Sequence, residues 1–134
     1  MSSRKFVLLL VIVVGSITHG MPAAAAEHTK DTLAVVKANV GQDKAVIVDV
    51  REKKEWGEEG HLKDAYHLPL SRLQQGVAPM SLESDLPKSK ILYTQCRAGR
   101  RSLLAAEILE DLGYDVRPLK QGTADLLKTF PAAD

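Results

Sequence analysis

Hydrophobic and polar positions fall along this chain in two kinds of block. Ala45-Val46-Ile47-Val48-Asp49-Val50 is a continuous apolar run rich in β-branched side chains, the pattern of a strand buried on both faces. Ile91-Leu92-Tyr93-Thr94-Gln95 repeats that pattern. Ala65-Tyr66-His67-Leu68, ahead of Pro69, and the stretch Tyr114 to Leu119 predict two further strands. Helical patterns separate them. Asp31 is placed to cap a helix over residues 32–38, with Leu33, Val36 and Val40 on one face and Gly41 to Lys44 ending it. The charged stretch Glu52 to Glu59 predicts a solvated helix, with Trp56 as its packing anchor and Gly60 as its breaker. From Ser102 to Leu112, Leu104, Ile108 and Leu112 recur at four-residue spacing. Leu103, Ala106 and Leu109 widen the stripe, and Gly113 supplies the stop. Ser71 to Leu86 reads as irregular apart from a helical turn at Ser71 to Gln75, and Thr123 to Phe130 as a closing amphipathic helix. Strands alternating with helices predict an α/β fold, a parallel sheet of four to five strands flanked by helices on both faces.

The N-terminus follows neither pattern. Arg4 and Lys5 precede an apolar run from Phe6 to Val14, then Gly15, Ser16 and Ala23 to Ala26, where Ala24 and Ala26 satisfy an A-x-A cleavage site. The run is shorter than the roughly 20 apolar residues of a spanning helix. Residues 1–26 are therefore expected to be a cleaved signal peptide. The expected product is one domain over residues 27–134, exported to a periplasm or secreted, with no stable membrane insertion after cleavage. Cleavage removes two of the 18 basic residues and no acid, leaving 16 against 17 acidic residues, a net charge of −1. No basic field remains to recruit nucleic acid or a membrane surface, so attraction for anions must be local.

Cys96 is the single cysteine of the chain, so no internal disulfide can form. It stands between a strand and a helix, where sites in such sheets gather. Cys96-Arg97-Ala98-Gly99-Arg100-Arg101-Ser102 joins three favourable effects. Amides of a tight loop that opens a helix converge on an anion. The helix dipole and neighbouring guanidinium groups favour a thiolate. Arg97, Arg100 and Arg101 offer forked donors to an oxyanion, with Arg97 and Arg101 expected near substrate and Arg100 towards solvent. Gly99 permits a positive φ and a close approach to a bound anion.

These motifs together resemble the rhodanese family. Val48-Asp49-Val50-Arg51-Glu52, Glu55, Gly60-His61-Leu62 and Ala65-Tyr66-His67-Leu68-Pro69 are similar to its first signature. The Cys96 to Ser102 loop, with Leu112-Gly113 behind it, is similar to its active loop and helix. The resemblance runs from about Val46 to Gly122 and departs at Lys63-Asp64, where the family often has Pro-Gly. It departs again at Gln121-Gly122, where Gly-Gly and a following Trp are usual. It implies that Cys96 is a persulfide-forming nucleophile cradled by the backbone amides of Arg97, Ala98, Gly99, Arg100, Arg101 and Ser102. It further implies transfer of sulfane sulfur from a small anionic donor such as thiosulfate to a thiol or cyanide acceptor, with no metal or organic cofactor.

Blander readings apply to other residues. Asp49, Arg51, His61 and His67 are expected to be structural. A phosphatase or arsenate reductase would place an arginine six residues beyond its cysteine, and that position is Ser102. A sulfur carrier or partner-binding module without turnover is the remaining alternative, since enzyme and carrier require the same loop.

Overall fold

The computed structural model describes residues 25–134, so the expected leader lies outside the described residues except for Ala25 and Ala26. Six helices and three strands follow in the order α1 (Leu33–Gly41), β1 (Ala45–Asp49), α2 (Lys53–Glu58), β2 (Tyr66–His67), α3 (Leu70–Gln74), α4 (Pro79–Asp85), β3 (Ile91–Gln95), α5 (Arg100–Asp111) and α6 (Thr123–Leu126). The sheet order is β2-β1-β3, all parallel. Three strands thus form where four to five were expected. The fourth predicted segment does lie alongside β3, but it makes a single parallel bridge, Leu92 to Val116. Its ladder continues as Arg117 N to Leu92 O (2.8 Å) and Leu119 N to Thr94 O (2.8 Å). Pro118 faces away from β3, its carbonyl accepting from Thr29 N at 2.8 Å.

The two faces of the sheet carry separate cores. Val48, Val50 and Leu92 face α3, α4 and α5 through Leu70, Leu73, Leu82, Leu86, Ala105, Ala106 and Leu109. Ala45, Ile47 and Tyr93 face α1 and α6 through Val36, Leu126 and Phe130. The alternation of β1 side chains between these cores is the period-two geometry of a strand covered on both sides.

Several boundaries differ from the sequence expectation for physical reasons. Thr32 caps α1, its hydroxyl accepting from Val35 N at 3.3 Å. Asp31 is engaged elsewhere, accepting from the Tyr93 hydroxyl (2.6 Å) and from Arg117 Nη1 (2.9 Å). Residues 79–85 form a helix, with Pro79 at its first position, where a missing N–H is harmless. α5 begins at Arg100 and buries Ser102, Ala105, Ala106 and Leu109, whereas Leu104 is 40% exposed. The small residues Ala105 and Ala106 draw the helix onto the sheet, which turns the four-residue leucine stripe partly outward. Leu109→Ala is therefore expected to destabilise the protein by about 2–5 kcal/mol, and Leu104→Ala by less than about 1 kcal/mol. Chemical denaturation of the two variants checks this order.

Candidate active site

β3 ends at Gln95, and the chain turns at Cys96 into a loop that becomes α5 at Arg100. Cys96 is 1% exposed and belongs to the core that contains Val50 and Ala105. Its Sγ accepts the Gly99 amide at 3.0 Å. Gly99 caps α5 at φ 90°, the left-handed conformation that reverses the chain onto its own sulfur. A Cβ at Gly99 would also press on the Lys120 carbonyl (3.0 Å) and His28 Nε2 (3.1 Å).

The loop carbonyls are held from outside. Cys96 O accepts from Thr123 N at 3.2 Å. Gly99 O accepts from Ser102 Oγ at 2.7 Å and from His28 Nε2 at 2.8 Å, so the His28 ring carries its proton on Nε2. Arg97 O lies so close to Gly122 that a Cβ there would overlap it. Ser102 is fully buried, and its hydroxyl also approaches Leu119 O at 3.1 Å. The first N–H groups of α5 have no intrahelical acceptor and open on the same loop.

The three loop arginines have different surroundings. Arg101 forks onto Glu55 at 2.6 and 2.7 Å, joining α5 to α2. That hydrogen-bonded pair holds the Glu55 carboxyl down at about 2. Arg97 is exposed, with Nη1 3.7 Å from Glu59. Arg100 and Ala98 face solvent. Beside the loop, Glu59, Arg97, Thr123, Ala124 and Leu127 line a cavity of about 220 Å³.

Behind the site, Asp49 and Arg51 form a fully buried ion pair at 2.7 Å, and Arg51 Nη2 also donates to Gly60 O at 2.8 Å. His67 Nε2 lies 2.8 Å from Arg51 O and donates to it. Trp56 stacks between His61 and His67, with ring centroids 3.8 and 4.3 Å apart. These contacts tie the α2 segment to the end of the sheet. Among the described residues, no group of three or more His, Cys, Asp or Glu side chains could hold a metal ion.

Sequence reasoning missed two contributors to the site. His28 belongs to a stretch that reads only as a polar lead-in. Thr123 reads as a helix start, yet its hydroxyl lies 3.0 Å from Gln95 Oε1 and its amide holds Cys96 O. Neither has a local signal, because both contacts cross long sequence separations.

The rhodanese-like domain family matches residues 32–129, and the chain belongs to that family. A mitochondrial protein of Schizosaccharomyces pombe, provisionally named a thiosulfate sulfurtransferase, is 31% identical over 58% of this chain and 59% of its own length. YrkF of Bacillus subtilis, provisionally named a sulfur carrier, is 30% identical over 62% of this chain and 42% of its own length. The chain thus spans less than two-thirds of either relative. The human single-domain sulfurtransferase TSTD1 shares the fold, with a TM-score of 0.60 and 22% identity over 72% of this chain and 92% of that one.

Two outcomes are expected from this geometry. Gly122→Ala forces the Arg97 carbonyl aside and destabilises the protein by about 1–3 kcal/mol, read as a lowered denaturation midpoint. For Glu55, whose folded pKa is depressed from 4.5 to about 2, the stabilisation is complete above the ordinary value and is lost as pH falls between the two. Glu55→Gln should then lower the melting temperature at pH 6, and its deficit should shrink as both proteins approach pH 2.

Proposed function

We propose that this protein is a sulfurtransferase that carries sulfane sulfur on Cys96. The observation that carries the reading is the Gly99 amide on Cys96 Sγ at 3.0 Å, within a loop whose Cys96 and Gly99 carbonyls are held by Thr123, Ser102 and His28. Such a loop can hold a second sulfur, because the N–H groups that face a thiolate can equally face the terminal anion of a persulfide.

The Cys96 thiolate attacks the outer sulfur of thiosulfate or a similar donor. A Sγ–S bond forms, the S–S bond of the donor breaks, and sulfite leaves with the electron pair. A thiolate or cyanide acceptor then attacks the outer sulfur of the persulfide, and the pair of that S–S bond returns to Cys96. Charge and electrons balance without an oxidant. Arg97 and Arg100 place positive charge around the mouth, and Arg101 fixes the helix that supplies the loop amides. The reading includes export, on the grounds of the basic, apolar and small-residue pattern of residues 1–26.

The similarity to YrkF favours a second reading, in which Cys96 is a carrier loaded by one protein and unloaded by another. The purified protein and Cys96→Ser are each incubated with thiosulfate and weighed intact by mass spectrometry. A gain of one sulfur atom in the parent protein alone is expected. No gain with thiosulfate or with other sulfane donors defeats the enzyme reading. Rapid unloading by cyanide or a small thiol identifies an enzyme, whereas a persulfide that survives both identifies a carrier.

A further inference from the structure

The residues just ahead of α1 form a strap that is fastened to the body of the fold. Asp31 accepts from the Tyr93 hydroxyl (2.6 Å) and from Arg117 Nη1 (2.9 Å). Thr29 N donates to Pro118 O at 2.8 Å, and Thr29 Oγ1 accepts from Asp31 N at 3.1 Å. At the other end of the strap, Ala26 packs against the core that contains Cys96. Between these points His28 is carried to the cysteine loop, where its Nε2 donates to Gly99 O at 2.8 Å.

The Gly99 carbonyl does not need this bond to be satisfied. The buried Ser102 hydroxyl already donates to it at 2.7 Å, so His28 adds a second donor to the same oxygen. The peptide group that receives both donors joins Gly99 to Arg100. In a trans peptide the Arg100 N–H points away from that carbonyl. Arg100 opens α5, so this N–H has no intrahelical acceptor. Donors on the oxygen draw electron density towards it and strengthen the opposite N–H as a donor. The His28 bond also holds Gly99 at φ 90°, the conformation in which its own amide meets Cys96 Sγ at 3.0 Å. The ring sits so close that a Cβ at Gly99 would lie 3.1 Å from Nε2.

We propose that His28 is a positioning residue for Cys96: through the Gly99 carbonyl it locks the loop and strengthens the Gly99 and Arg100 amides towards a sulfur anion. It acts through the loop backbone and contributes no atom to the reaction. The strap is then part of the sulfur-carrying machinery as well as a tether for the start of the domain. This inference rests on the sulfur-transfer reading, but the state of the loop can be measured without any transfer.

Loading of Cys96 from saturating thiosulfate is timed by intact mass for the purified parent protein, His28→Phe, His28→Gln and Leu82→Ala. His28→Phe keeps a ring and loses the donor, whereas His28→Gln offers an amide N–H at similar reach. His28→Phe is expected to load about fivefold more slowly, the scale of one hydrogen bond, with the half-saturating thiosulfate concentration unchanged. His28→Gln should recover most of the rate. Leu82 is buried in the core under α4, and Leu82→Ala should lower the melting temperature while loading at the parental rate, which separates positioning from lost stability. Amide hydrogen exchange at Gly99 and Arg100 should quicken by a similar factor in His28→Phe. Parental loading by His28→Phe, or equal slowing in the Phe and Gln variants, overturns the proposal, and His28→Leu repeats the test should the Phe variant melt early. If no protein gains sulfur from any donor, the enzyme reading fails and exchange alone decides. Faster exchange in His28→Phe then leaves the positioning role standing, and parental exchange removes it.

Discussion

In a planar trans peptide the carbonyl and the following N–H point in opposite directions. A loop can therefore turn N–H groups inward only if its carbonyl oxygens find partners outside. The Cys96 loop meets this condition at the Cys96 and Gly99 carbonyls, with the help of two distant parts of the chain. Thr123 holds the carbonyl of Cys96, His28 and Ser102 hold that of Gly99, and Gly122 leaves room for that of Arg97. No peptide in the described chain is cis, so the amides of Arg97, Ala98 and Arg100 are turned away from these anchors. The sheet and both cores can be regarded as the frame that brings residues 28, 99 and 122 to one place.

The frame itself needs a rigid end. β1 delivers Asp49, and the buried pair with Arg51 closes the turn that carries α2. Removing either partner would strand a charge in the interior, a far larger penalty than the pair's net contribution. The pair also spans to Gly60 and, through the Arg51 carbonyl, to His67 at the end of β2. From this anchored segment Glu55 reaches across to Arg101, so the helix behind the cysteine is fixed from two sides. Arg101 is the clearest case of a residue whose type suggests ligand contact and whose geometry supports another element.

How far the site was legible in the sequence depended on the range of each interaction. β3 was read with the right ends, because five consecutive residues carry their own pattern. Gly99 and its positive φ were readable from the Cys-to-helix spacing, a local demand on a few residues. The segment from Tyr114 to Leu119 reads as a strand, yet it keeps only a short ladder to β3 and a single bridge. The exposed Leu104 was misplaced because periodicity gives a stripe but not which edge of it meets the sheet, and that is decided by Ala105 and Ala106. His28 lay beyond any local pattern, since its partner is 71 residues away.

Ser102 separates this loop from one that grips a phosphate. An enzyme that grips a tetrahedral phosphate needs a long cation at that position. Here a short hydroxyl is buried, donates to Gly99 O, lies 3.1 Å from Leu119 O, and ties the first turn of α5 to the loop. Thr94 adds to the lock by donating to the Ser102 carbonyl at 2.9 Å. Sγ itself lies 3.0 Å from the Gly99 amide, drawn against the loop by that bond. Outside the loop, beside Arg97, the cavity lined by Glu59, Thr123, Ala124 and Leu127 adjoins this locked turn.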